Sequence, residues 1–539
     1  MLDRLDAIYP VRYTALVLCV LAALLSLFAW IGFGVGGFFF LLFASLSALG
    51  LWDLRQSKSA LRRNYPVLGH LRYMLEKIRP EIRQYFLEGD TDEAPFSRSQ
   101  RSLVYARAKG ETDKRPFGTQ LDVTANGFEW INHSLLPSTL ASSDFRLTIG
   151  GPLCRQPYDA SVFNISAMSF GALSAHAIQA LNAGARRGGF AHDTGEGSIS
   201  AWHRLHGGDL IWEIGSGYFG CRDAAGRFNE DKFKANALEP QVKMIEIKLS
   251  QGAKPGHGGV LPAAKVTPEI AAARGVRMGV DCVSPAAHSA FATPMELLHF
   301  VARLRELSGG KPTGFKFCVG HPWEWFAIVK AMLETGITPD FIVVDGSEGG
   351  TGAAPLEFTD HVGVPLQEGL RLVHNTLVGV NLRDCIKLGA AGKVVSAFDL
   401  ARAFAVGADW CNSARGFMFA LGCIQAQTCH TGACPTGVAT QDPLRQQALV
   451  VSDKSERVFN YHQQTLKALQ ELVQASGLQH PCEISARHIV RRVNENEVRL
   501  LAQLLPSVAP GALLSGAQVQ HPVFDTYWAL ARADRFGLA

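Results

Sequence analysis

The sequence predicts an α/β protein, a (β/α)8 TIM barrel with an inserted cysteine loop, preceded by an N-terminal transmembrane helical hairpin. Three observations predict it. From residue 161 onward, eight short apolar runs alternate with helical stretches, each run ending in glycine or small polar residues. Cys423, Cys429 and Cys434 are spaced C-x5-C-x4-C between Leu421 and Gln441. No charged residue occurs from Tyr13 to Trp52.

The uncharged run is about twice the ~20 residues a helix needs to span a bilayer, and too long for a cleaved signal peptide. Glycines at 32 to 37 (GFGVGG) divide it, so Thr14 to Ile31 and Phe38 to Trp52 read as two spans joined by a tight turn. Arg4 and Arg12 precede the pair, and Arg55, Lys58, Arg62 and Arg63 follow it. Basic flanks favour the cytoplasmic side, so both ends are expected in the cytoplasm of a membrane-bound protein. Residues 1–55 form this hairpin. Residues 56–145 read as a helical and irregular linker, charged at first, broken by Pro66 and Pro80, then polar with few clear periods.

The eight runs are VFNISAMS (162–169), FAHDT (190–194), MIEIKLS (244–250), VDCVS (280–284), GFKFCV (314–319), FIVVD (341–345), CIKLGA (385–390) and ADWCNS (408–413). Helical stretches lie between most of them, among them Leu173 to Arg187, Pro294 to Leu307, Trp323 to Thr335 and Phe398 to Val406. The gap from Thr194 to Met244 is too long for one helix and marks an insertion. A doubly wound open sheet is the competing architecture. In a barrel, chemistry belongs at the C-terminal ends of the strands. The unusual residues fall there: Ser169, Thr194 to Gly197, Gln251 to Gly256, Lys316, Asp345 to Gly352, Gly392 with Lys393, and Ser413 to Gly416. The barrel is expected to span 146–475, with a helical extension over 476–539.

Three thiolates from one short loop can hold the corners of a [3Fe–4S] cluster, with Pro435 fixing the turn after the last ligand. The same cysteines with His430 can also form a Cys3His zinc site, or can be buried and inert. The eleven cysteines are scattered, which argues against a secreted disulfide framework. With 52 Lys plus Arg against 48 Asp plus Glu, the chain has no basic excess for nucleic acid.

Several long motifs in order resemble one family. NISAMSFGALS (164–174), TGEG at Thr194, IKLSQGAKPGHGGVLPAAKV (247–266), GGTGAAP at Gly349 and the cysteine loop with CPTGVATQ are similar to the FMN-binding synthase domain of glutamate synthase. The short membrane-anchored members of that family are the nearest in layout. The resemblance implies FMN, a [3Fe–4S] cluster and reductive amination of 2-oxoglutarate. It implies that Ser166, Met168, Ser169, Thr194, Gln251, Lys316, Gly349, Gly350, Thr351, Gly392, Lys393 and Gly416 hold the cofactor, and that Cys423, Cys429 and Cys434 hold the cluster. Lys254 and Arg274 would bind the carboxylates of 2-oxoglutarate, with Lys248 beside the flavin. Lys316 would stabilise charge at the flavin N1–O2 edge, and Glu196 and Gln251 would join Lys254 in the chemistry.

Departures from the family pattern bear on substrate and partners. His257 stands where the family has an acidic residue, Val260 where it has a substrate-contacting glutamine, and Gly392 to Ser396 (GKVVS) where it has a glycine-pair phosphate motif. Met1 and Leu2 lead directly toward the apolar run, so no glutaminase domain is expected, and no GxGxxG follows a strand to bind NADPH. Nitrogen is then expected as ammonia or a small amine, or from a separate glutaminase subunit. Electrons are expected from ferredoxin or a separate reductase subunit. An N-methylglutamate-type synthase and a non-catalytic membrane-anchored flavin and Fe–S electron carrier are the alternatives.

Overall fold

The computed structural model describes residues 10–56, 59–89, 95–516 and 519–538. The chain forms two compact units, Met1–Asp92 and Glu93–Ala539. In the first, helices Thr14–Phe33 and Gly37–Arg55 are long and apolar enough to cross a membrane by length and composition. The turn between them places Gly34 and Gly36 at φ of +69° and +96°, which glycine adopts without strain. A Cβ on Gly50 would lie 2.6 Å from Leu16 Cδ1, so glycine there lets the helices close up. Large apolar side chains such as Leu25, Phe28 and Ile31 stay exposed on this pair. Helices Ala60–Asn64 and Leu68–Ile82 follow.

The second unit is built on a closed barrel of eight parallel strands, and the open-sheet alternative is excluded. The strands are β1 (Phe163–Ile165), β2 (His192–Asp193), β3 (Leu210–Ile214), β4 (Val242–Lys248), β5 (Thr313–Phe317), β6 (Phe341–Asp345), β7 (Lys387–Ala391) and β8 (Trp410–Ser413). Each pairs with the next, and β8 closes on β1 through Asn412 and Asn164. Helices including Ala175–Gly188, Pro294–Leu307, Pro322–Thr335, Leu366–Gly379 and Ala397–Val406 cover the outside. Ser174, Thr293 and Ser396 cap three of them by accepting a hydrogen bond from the third helical N–H, as Ala177, Glu296 and Asp399 show.

Two of the barrel strands differ from expectation, one gained and one lost. β3 is LIWEI, a run that the expected insertion between Thr194 and Met244 had absorbed. Every residue of β3 is buried. A parallel strand covered on both faces shows no polar alternation, and this one turns Trp212 outward to stack on Phe233 at 5.3 Å. The run VDCVS at 280–284 is not a barrel strand. Its Cys282–Ser284 pairs antiparallel with Gly259–Leu261 outside the barrel, and Val280 and Val283 are more than half exposed.

The stretch 476–539 is not the helical extension expected. Strands Ile489–Asn494 and Glu497–Leu500 form a three-stranded antiparallel sheet with Glu129–Ile131 from the polar segment before the barrel. Arg491 pairs with Glu129 at 2.5 Å across that sheet. The long helix Val451–Ala475 lies on Ala175–Gly188, where Gly184 makes room: a Cβ there would meet Val458 Cγ1 at 2.5 Å.

Candidate active site

A cleft of about 360 Å³ opens at the C-terminal ends of the strands. Lys248, Lys254, Lys265, Arg274, Lys316, Lys393 and Arg415 line it, against Glu196, Glu213 and Asp345. That imbalance favours a ligand carrying several negative charges. The paired segments Gly259–Leu261 and Cys282–Ser284 form one wall, contributing Val260, Leu261, Cys282 and Ser284.

Most of the expected site residues meet here. Lys248 ends β4, with its ammonium 3.1 Å from Glu196 Oε2 and 3.5 Å from Gln251 Oε1. Burial alone would push the Glu196 carboxyl up, but Lys248, then Arg274 and Lys254, hold it below its ordinary value. Glu196 is therefore ionised at neutral pH and acts as a hydrogen-bond acceptor. Lys254 donates to Gly258 O at 3.3 Å, and burial lowers its ammonium from the ordinary lysine range. Arg274 is buried; its Nη2 donates to Phe170 O at 3.1 Å, and its Nε has no partner among the described residues. The guanidinium lies 5.2 Å from the Phe219 ring, its Nη1 is 3.7 Å from Cys282 Sγ, and the residue lines the cleft.

Ser166, Met168, Ser169, Gln251, Lys316, Gly349, Gly350, Thr351, Gly392 and Lys393 also line the cleft. Thr194 and Gly416 do not. Thr194 is buried behind the wall, its hydroxyl accepting from Glu213 N–H at 3.1 Å and donating to Gly195 O at 3.0 Å. Gly416 leaves space for Tyr461, whose hydroxyl oxygen a Cβ there would meet at 2.3 Å. Lys393 and Arg415 also line the cleft. Lys393 has φ +49°, uncommon for lysine, and Arg415 Nη2 donates to Thr351 O at 2.8 Å.

Cys423, Cys429 and Cys434 stand on one loop, and Cys429 and His430 reach the cleft wall. Burial would push the Cys434 thiol up, yet N–H groups of Ala439, Thr436 and Val438 and the Thr436 hydroxyl bring it below its ordinary value. Such amides stabilise a thiolate. Burial pushes the Cys423 thiol up to about 11. Among the described residues, these three sulfurs are not gathered within 4.8 Å of one another. One tetrahedral zinc would hold them about 3.8 Å apart, given Zn–S of about 2.3 Å.

Sequence reasoning missed four side chains that matter here. Glu213 lay in the misplaced insertion; an acid inside an otherwise apolar, fully buried strand was the available signal. Asp193 belonged to a recognised run but was passed over. Arg415 fell within a rim segment chosen for its glycine. Lys265 donates to His430 O at 2.7 Å and Cys429 O at 3.4 Å, a contact that sequence separation concealed.

A family description, conserved region in glutamate synthase, matches residues 156–479. The glutamate synthase large subunit-like protein YerD of Bacillus subtilis is 37% identical over 487 residues, 83% of this chain and 92% of that protein. The archaeal glutamate synthase [NADPH] of Methanocaldococcus jannaschii is 35% identical over 315 residues, 58% of each chain. The archaeal-type enzyme of Thermotoga neapolitana is 33% identical over 58% of this chain and 59% of its own. The chain thus spans less than two thirds of these archaeal-type relatives. Among solved structures, the flavin-binding domain of baker's yeast flavocytochrome b2 aligns with a TM-score of 0.41 at 12% identity, over 83% of this chain and 90% of that one.

Proposed function

The chain belongs to the glutamate synthase family, and on that premise we propose that it is an FMN- and [3Fe–4S]-dependent oxidoreductase forming glutamate by reductive amination of 2-oxoglutarate. The observation that carries this reading is the cluster of Lys248, Lys254 and Arg274 around an ionised Glu196 at the barrel mouth. Reduced FMN, when bound, supplies a hydride. Lys393 and Arg415 suit its phosphate, and Lys316 and Gln251 suit the edge of its ring. Lys254 and Arg274 hold the two carboxylates of the acceptor. Glu196 accepts a hydrogen bond from the attacking amine and orients it; Lys248 keeps Glu196 charged. Lys254, lowered by burial, also gives a proton to the departing hydroxyl, which leaves as water. The walls at 259–261 and 282–284 limit water access.

Cys423, Cys429 and Cys434 would hold the cluster, with the amides around Cys434 stabilising its thiolate. Nitrogen is proposed to come from ammonia or a separate glutaminase subunit, and electrons from ferredoxin or a reductase subunit. The two apolar helices are proposed to anchor the protein in the cytoplasmic membrane as a hairpin, with the barrel on the cytoplasmic side.

One observation favours a second substrate. Val260 lines the cleft with more than half its surface open, next to Leu261 and Pro262. This apolar wall accommodates an alkyl group on nitrogen, so methylamine giving N-methylglutamate is the alternative. The test is to incubate chemically reduced protein with 2-oxoglutarate and isotope-labelled ammonium or methylammonium and identify the product by mass spectrometry. Labelled glutamate supports the first reading and labelled N-methylglutamate the second. No amino-acid product with either amine defeats both.

A further inference from the structure

Four charged side chains meet inside the barrel beneath the cleft. Glu213 of β3 and Glu246 of β4 face each other in register. Lys316 of β5 pairs with both, reaching Glu246 Oε1 at 3.3 Å and Glu213 more closely. Asp193 of β2 completes the layer: its carboxylate and those of Glu213 and Glu246 lie within 4.8 Å of one another. All four residues are buried. Lys316 already supplies the positive charge that a bound cation would bring.

The layer is short of hydrogen bonds. Asp193 Oδ1 accepts from Gly195 N–H at 2.9 Å, but its Oδ2 and Glu246 Oε2 have no hydrogen-bond partner among the described residues, and Glu246 Oε1 has only its ion pair with Lys316. Three carboxylates around one ammonium in a low-dielectric interior cannot all ionise, so the layer holds protons. It also communicates with the cleft. Glu213 and Lys316 are part of the cleft lining, and Glu246 precedes Lys248 by two residues on β4, one layer below the mouth. The remaining charges facing it are Asp345 of β6, which accepts from Gly252 N–H at 2.8 Å, and Lys248 of β4.

We propose that this layer is a proton store for the cofactor above it, in which Glu246 takes up one proton when the cofactor gains two electrons. The proposal rests on the flavin reading and goes beyond it. The electrons enter the cofactor from a reductase or a chemical reductant. The cofactor would take one proton with its two electrons; a second comes from solvent through the cleft and forms one O–H bond on Glu246, and no bond in the protein breaks. Negative charge gained in the cleft acts on Glu246 at short range with little screening, which favours its neutral form. Burial, opposed by Lys316 and reinforced by Glu213, raises the Glu246 carboxyl to about 7, and burial with the charges of Glu246 and Glu213 pushes Asp193 well above the usual carboxylate range. Glu246 is therefore the group balanced near neutrality. Above pH about 7 it is ionised before reduction and uptake is visible; below that it is already neutral and uptake fades.

The experiment measures the flavin midpoint potential against pH on the alkaline side, for the full-length wild-type protein and Glu246→Gln, with infrared difference spectra of reduction in H2O and D2O. Wild type should bind two protons per two electrons and Glu246→Gln one, halving the slope. Wild type should also gain a D2O-sensitive carboxylic-acid band on reduction. A one-proton slope in flavin-loaded wild type overturns the proposal alone. So does a two-proton slope without the acid band, or a slope unchanged in Glu246→Gln. The wild-type spectrum decides the matter even if the variant does not fold. Protein without flavin absorbance overturns the flavin reading together with this one.

Discussion

Lys254 and Glu196 show how single residues set the cleft's chemistry. Lys248, then Arg274 and Lys254, hold the Glu196 carboxyl low against its burial, while burial lowers the Lys254 ammonium against the pull of Glu196. Lys254→Ala removes one charge-assisted contact to a substrate carboxylate. It should cost about 2–4 kcal/mol of transition-state binding, or roughly 30- to 1000-fold in kcat/KM. The flavin spectrum should be unchanged, and steady-state kinetics with 2-oxoglutarate checks the loss. Glu246 carries a stability effect of opposite sign from that of a salt-bridged acid. Its folded pKa, about 7, lies above its ordinary value near 4.3, so the native state holds the extra proton between those values. Wild type therefore loses stability as pH rises through that window. Glu246→Gln should remove this slope and gain on wild type from pH about 5 to about 8. Urea unfolding at both pH values checks it, and a constant difference would contradict the assignment. Lys248, Lys254 and Arg274 were legible because cations within a recognisable motif had a ready partner in a dicarboxylate. Asp193 and Glu213 were not, because their significance lies in Lys316, far away in sequence.

At the scale of elements, the cysteine loop and the β4 loop are joined through Lys265, which donates to the carbonyls of Cys429 and His430. If the loop holds the proposed cluster, iron and sulfide should be found near a ratio of three to four, with an S = 1/2 EPR signal in the oxidised state. Cys429→Ser should abolish that signal. Stoichiometric zinc without sulfide would replace the cluster with a structural metal. In β5, Lys316→Met leaves Glu213 and Glu246 without their cation. Breaking such a buried pair should destabilise the barrel by about 3–5 kcal/mol, read from chemical denaturation. A loss below ~1 kcal/mol would mean that the acids are already neutral. The helical stretch expected at Pro294 to Leu307 has those bounds in the structure. β3 escaped because a strand buried on both faces carries no alternation. Cys282–Ser284 was mistaken for a barrel strand because a short apolar run reads alike in either setting.

On the scale of the whole molecule, apolar surface is concentrated in the two helices of Met1–Asp92, while the barrel and its cleft belong to Glu93–Ala539. Removing residues 1–55 should give a soluble protein that still binds flavin. Sedimentation with membranes at high salt would show a second anchor. The barrel was legible from repeated alternation, whereas the sheet joining Glu129–Ile131 to Ile489–Asn494 was not, since no local pattern marks a pairing across the length of a barrel. The central claim is that the cleft couples a reduced flavin to amination of 2-oxoglutarate. Its most direct test is stopped-flow reoxidation of the photoreduced protein. 2-Oxoglutarate together with ammonium or methylammonium should reoxidise the flavin, neither alone should do so, and Lys254→Ala should slow it sharply. A flavin that stays reduced with both present, in protein whose cysteine loop carries its full iron and sulfide, would contradict it.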